Sequence, residues 1–125
     1  MFVRIYSQPG ESICQSFEGF IDAVSPWEGM FAEPDGSWVW VFHDNSIRYQ
    51  LDGMLYDRAG VIEYLEVKGQ ATKDAWEKIC THLLSDFQRS SPDAIVQHLR
   101  VHDIEQQCWR GACDPSLFSN PDSQN

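Results

Sequence analysis

Four residues near the C-terminal end, His98, His102, Cys108 and Cys113, are of the types that hold zinc. On a helix the two histidines would lie one turn apart on one face, a geometry that chelates the ion. The cysteines have four residues between them, looser than the pair of a zinc knuckle, and no second CxxC pair supports them. The competing reading is exposed histidines beside ordinary thiols, so neither a metal nor another cofactor is expected. A second set, His43, Asp52 and Glu63, offers groups for proton transfer if neighbouring strands bring them together. Glu63 and Glu66 cannot form a carboxylate pair, because odd spacing in a strand sends them to opposite faces. Charges on a polar sheet face would read the same way. Cys14 and Cys80 fall near the buried stripes of amphipathic segments, where a thiol behaves as a small, inert hydrophobe. The chain has no G-x-S-x-G, P-loop or G-x-G-x-x-G. No catalytic residue is assigned.

Recognition has better material. Trp38, Trp40, Tyr49, Tyr56 and Tyr64, with Arg58 and Glu66 beside them, form the candidate binding set, since Trp and Tyr bury large areas at low entropic cost. For Trp38 and Trp40 the alternative is core, because helices lying on a sheet need a broad apolar face to cover. Tyr56 and Tyr64, flanked by Asp57, Arg58, Glu63 and Glu66, are expected to be more exposed.

The elements that must carry these residues come from periodicity. Trp38–Phe42 is an aromatic and β-branched run, apolar on both faces, which suggests a strand covered on both sides. After the turn cluster His43-Asp44-Asn45-Ser46, the alternation of Ile47, Tyr49 and Leu51 with Arg48, Gln50 and Asp52 gives a half-buried strand. Asp52-Gly53 reads as a hairpin turn leading to a short strand, Met54–Tyr56. Asp57–Gly60 turns into a strand over Val61–Val67, and Met30–Glu33 precedes the Trp strand. Phe2–Tyr6 is a further strand, placed at an edge or beside the Trp strand. Ile13, Phe17, Phe20, Ile21 and Val24 form one helical stripe, closed by Ser25-Pro26. Thr72 caps a second helix, with Asp74 in its first turn and Trp76, Ile79, Cys80, Leu83, Leu84 and Phe87 inward. Ser91-Pro92 starts a third, taken as helix through residue 102 on Ile95, Val96 and Leu99, although Ile95, Leu99 and Val101 against His98, Arg100 and His102 also fit a strand; Asp103–Trp109 is a further helical turn or continuation. The fold class is therefore α+β: an antiparallel meander of four to six strands with two or three helices mainly on one face. Residues 1–118 make a single domain, and 119–125, rich in Ser, Asn, Pro and Asp, are expected to be mobile.

Nine basic against nineteen acidic residues leave a net charge of −10 in a chain of 125 residues. Such a surface repels nucleic acid and anionic membrane and attracts a basic partner. The first residues lack a basic and then apolar leader, and no apolar run approaches the roughly 20 residues that cross a bilayer. The expected setting is the cytoplasm, with reduced thiols. The function read from this is a small, acidic, non-enzymatic protein-binding module of an inhibitor, immunity or adaptor kind. Its partner would be a basic protein, and a homodimer through an exposed sheet edge or the Trp face is compatible with it. The alternatives are a small enzyme or ligand-binding protein with a pocket between sheet and helices, and a zinc-stabilised domain.

Overall fold

A computed structural model describes residues 1–13, 15–84 and 92–118. Cys14, Phe87, the cap expected at Ser91 and the tail 119–125 lie outside the described residues. Seven strands form one antiparallel sheet: β1 (Phe2–Ser7), β2 (Met30–Ala32), β3 (Ser37–Asp44), β4 (Ile47–Arg58), β5 (Val61–Gly69), β6 (Leu99–Asp103) and β7 (Cys108–Gly111). Their spatial order is β2-β3-β4-β5-β1-β6-β7. Three helices, α1 (Phe17–Val24), α2 (Lys73–His82) and α3 (Pro92–His98), complete the α+β architecture.

Each long helix starts where a side chain can satisfy an orphan amide. Ser16 Oγ accepts from Gly19 N at 3.0 Å and Thr72 Oγ1 from Ala75 N at 3.2 Å. α1 ends at Ser25, whose N–H returns to the Ile21 carbonyl, and Pro26 cannot continue it. The apolar stripes of α1 and α2 then bury Phe20, Val24, Trp76, Ile79 and Cys80 against one face of the sheet. That face supplies Val3, Ile5, Trp38, Leu51, Leu55, Leu65, Val67 and Val101, each 2% exposed or less. Every such aliphatic side chain contributes about 1.5–3 kcal/mol of transfer free energy. The Trp76 indole adds a bond to the Ala112 carbonyl at 2.7 Å, tying α2 to the segment after β7.

The hairpins β3–β4 and β4–β5 turn on two residues each, Asn45-Ser46 and Ala59-Gly60, all at positive φ, the backbone of a type I′ turn. Asp52-Gly53 does not turn. β4 runs straight through it, with Gly53 facing Trp38 and Val67 on its two neighbours. The reason is packing rather than backbone: a Cβ on Gly53 would overlap Cε2 and Cζ2 of the Trp38 ring. β4 and β5 also slip register after Tyr56, which leaves Glu63 as the extra residue of a β-bulge.

Four more expectations are corrected. β1 sits inside the sheet, between β5 and β6, because Val3 and Ile5 complete the buried face on both sides. The third helix stops at His98, and residues 99–103 alternate as a strand with Leu99, Val101 and Asp103 inward. The segment after Asp103 is a turn and a strand, β7, not helix. β3 is covered on one side only: Trp38 and Trp40 are buried beneath the helices, while Val39 and Val41 are half-exposed and His43 is exposed.

Candidate functional site

Among the described residues the helices lie on one side of the sheet and leave the other face open, and register sets its side chains in rows. Tyr56 stands opposite Tyr64, Arg4 opposite Glu66, Tyr6 opposite Arg100 and His102 opposite Trp109. The rings touch in sequence across the strands: Tyr56–Tyr64 at 4.6 Å, Tyr64–Tyr6 at 5.2 Å and Tyr6–Trp109 at 5.5 Å. Guanidinium groups lie over them, Arg100 at 4.1 Å from Trp109 and Arg4 at 5.1 Å from Tyr64. The Arg4–Glu66 bond at 3.0 Å holds the guanidinium protonated above its ordinary range, and burial raises the Tyr64 hydroxyl pKa against the pull of Arg4. Arg4, Arg48, Lys68 and Arg100 outnumber Asp52 and Glu66 on this face.

The acidic surface lies elsewhere. Between Arg4 and Arg48 the chain has no Lys or Arg and carries seven carboxylates, Glu11, Glu18, Asp22, Glu28, Glu33, Asp35 and Asp44. All but Asp44 are exposed. From Glu18 on, this stretch builds α1, β2 and β3 and gathers at the β2 edge and the helix beside it, while Glu11 lies against His98. Phe31 on the edge strand is 67% exposed. Asp35 is fixed by the hydroxyl and amide of Ser37, at 2.7 and 2.9 Å, which lower its pKa below the ordinary carboxyl value.

On the same flank, between β3 and α2, opens a cleft of about 350 Å³ lined by Trp27, Glu28, Trp40, Val41, Phe42, His43 and Lys78. Backbone geometry builds it. Gly29 adopts φ +80° and accepts from Val41 N at 2.9 Å, so close to β3 that a Cβ would overlap the Val41 carbonyl oxygen. Glu28 O then accepts the Trp40 indole N–H at 3.1 Å. Trp27 packs on Trp40 at 4.9 Å, Trp40 on Phe42 at 4.4 Å, and the His82 ring meets Trp27 edge-on at 5.0 Å. The Lys78 ammonium, arriving from α2, sits 4.2 Å from the centre of the Trp27 ring and 5.7 Å from that of Trp40.

Of the residues singled out from sequence, Tyr56, Tyr64 and Glu66 share the open face. Arg58 is exposed at the hairpin end, 3.5 Å from Glu63. Trp38, Trp40 and Tyr49 are 2, 6 and 3% exposed and belong to the core side, so none stands on the open face, and Trp40 alone shows at the wall of the cleft. His43, Asp52 and Glu63 do not meet. His43 pairs with Arg48 in register, four residues along β4 from Asp52, or roughly 13 Å at strand spacing, and Glu63 lies at the opposite hairpin. The helical spacing required of His98 and His102 is absent, because one ends α3 and the other lies in β6. His98 contacts Glu11 at 3.3 Å while His102 packs on Trp109 at 4.8 Å. Cys108 and Cys113 are half-exposed, and no group of three or more metal-ligating side chains occurs among the described residues. Among them too, no helix is long and apolar enough to cross a membrane.

Sequence reading missed Arg4, Tyr6, Arg100 and Trp109 on the open face, and Trp27, Glu28, Phe42 and Lys78 at the cleft. The long gap in basic residues was the available signal for the acidic flank. No protein-family model, curated protein or solved structure matches the chain.

Proposed function

We propose that this protein is a non-enzymatic binding module that docks a basic protein on the flank formed by α1, β2 and β3. The observation that carries this reading is the segregation of charge. Seven of nineteen carboxylates and none of nine basic residues fall between Arg4 and Arg48, and all of the seven but Glu11 lie in or beside α1, β2 and β3. Such a field steers a cationic partner and sets its orientation. Phe31 and the ring cluster around Trp27 supply apolar area for a contact that charge alone would leave weak. The absence of a shared site for His43, Asp52 and Glu63 weighs against the proton-transfer alternative.

The test is a pull-down from native lysate with the wild type and with Asp22→Lys/Glu33→Lys, two exposed positions on the flank. Basic proteins are expected on the wild type at low salt, eluting at high salt, and are expected to be missing from the variant. An identical set of proteins on both, or none on either, would overturn the reading.

A second reading is favoured by one observation. β7 ends the sheet and carries Trp109, 52% exposed and continuous with the aromatic row. An uncovered edge beside exposed aromatic area suits pairing with a second copy of the chain.

A further inference from the structure

We infer that the cleft between β3 and α2 is a cation cage whose resident occupant is Lys78, and that its outside ligand is a lysine or quaternary ammonium side chain. This rests on the docking reading above and names the group that enters the flank. Two indoles at 4.9 Å and 53° to one another present their faces to a common space, with the Phe42 ring next in the stack. Ring faces carry negative quadrupole and attract a desolvated cation. The cleft already shows this capacity, since the Lys78 ammonium lies within cation–π reach of both indoles. Glu28 at its rim adds formal negative charge, and the surrounding stretch contributes no cation of its own.

Lys78 itself is exposed, on a flexible four-carbon stem, so it can leave as another cation arrives. It acts as an internal competitor. The His82 ring nitrogen contacts the Lys78 carbonyl at 2.8 Å, which holds the helix backbone in place while the side chain moves. Volume agrees with a single side-chain head: about 350 Å³ lies near the lower end of small-molecule sites.

The experiment titrates N-acetyl-trimethyllysine amide, and its neutral isostere with tert-butyl in place of trimethylammonium, into wild type and Lys78→Met, following tryptophan fluorescence. Removing a competitor held by an exposed cation–π contact should tighten binding of the cation about two- to fivefold. The isostere should bind more weakly than the cation to both proteins. Equal affinity for cation and isostere in Lys78→Met, or tighter binding by the wild type, would overturn the cage. The two readings fail separately. A basic protein retained in salt-sensitive fashion while the small cation does not discriminate sinks the cage alone. Discrimination of the probe with no basic protein retained sinks the docking reading alone.

Discussion

Gly53 offers the sharpest test of how the sheet is built. Replacing it by Ala places a methyl group against Cε2 and Cζ2 of Trp38, well inside van der Waals contact, at a ring only 2% exposed. Overpacking of this kind costs about 1–3 kcal/mol. Gly→Ala within a strand returns about 0.5–1 kcal/mol of backbone entropy. The net expectation is a loss of about 1–2 kcal/mol, which for a chain of this size lowers Tm by roughly 4–8 °C. Thermal and urea unfolding, followed by near-ultraviolet circular dichroism, would read it. The decisive comparison is Gly53→Ala combined with Trp38→Phe. The smaller ring makes room for the methyl group, a gain that neither single variant contains. The double variant should therefore be more stable than additivity predicts, by about 1 kcal/mol or more. If Gly53 mattered for turn conformation, the two changes would simply add. Additivity within about 0.5 kcal/mol, or a Gly53→Ala protein as stable as wild type, would refute the packing account.

Two further outcomes follow from other parts of the molecule. Asp103, 9% exposed, accepts from Arg110 Nε at 2.8 Å and from Gln106 N at 3.0 Å, and the Arg110 bond holds its pKa below the ordinary carboxyl value of 3.8. A depressed folded pKa stabilises above the unfolded value and loses that stability as pH falls through the folded one. Asp103→Asn should therefore cost about 1 kcal/mol at neutral pH, with the gap to wild type closing as the pH drops below 3.8; a constant gap in urea melts across that range would count against the bond. On the open face, sedimentation of the wild type at rising concentration should show a dimer that Trp109→Ser abolishes, and a wild type that stays monomeric at the highest concentration would end the self-pairing reading.

The parts of this fold that were legible from sequence are those with local causes. Thr72 caps its helix through Ala75, and Ser25-Pro26 ends the first helix, because capping and proline chemistry act within a turn. The Asn45-Ser46 and Ala59-Gly60 hairpins follow from residues that accept positive φ or stand in turn clusters. What escaped depends on distant partners. Asp52-Gly53 has the composition of a turn, and only the Trp38 ring on the neighbouring strand explains why glycine is needed in the middle of β4. Leu99 fits a helical stripe with Ile95 and Val96 and an alternating pattern with Val101, and pairing of Leu99 with Ser7 and Val101 with Ile5 decides for a strand. Trp38, Trp40 and Tyr49 are buried on the helix-covered face, Tyr49 stacked on Phe42 at 5.3 Å, which their residue types alone do not distinguish from a binding surface. For the site, the aromatic meander pointed to Tyr56 and Tyr64. Tyr6 and Trp109 reach them only because β1 and β6 bring the two ends of the chain to the same face.

That placement of β1 has a consequence for synthesis. Residues Phe2–Ser7 leave the ribosome before their partners, Leu65–Lys68 and Leu99–Asp103. The meander β2–β5 can pair as it emerges, strand upon adjacent strand. The first segment must wait, with Val3 and Ile5 unburied, until some sixty and then nearly a hundred more residues have been made. Closing such long loops is the slow part of assembling a sheet. Between those two steps β1, once paired with β5, presents its other side as a raw edge, open to strands from neighbouring chains. The last strand pair, β6–β7, joins the sheet only through β1, so a strand made before all its partners acts as the seam that completes the fold.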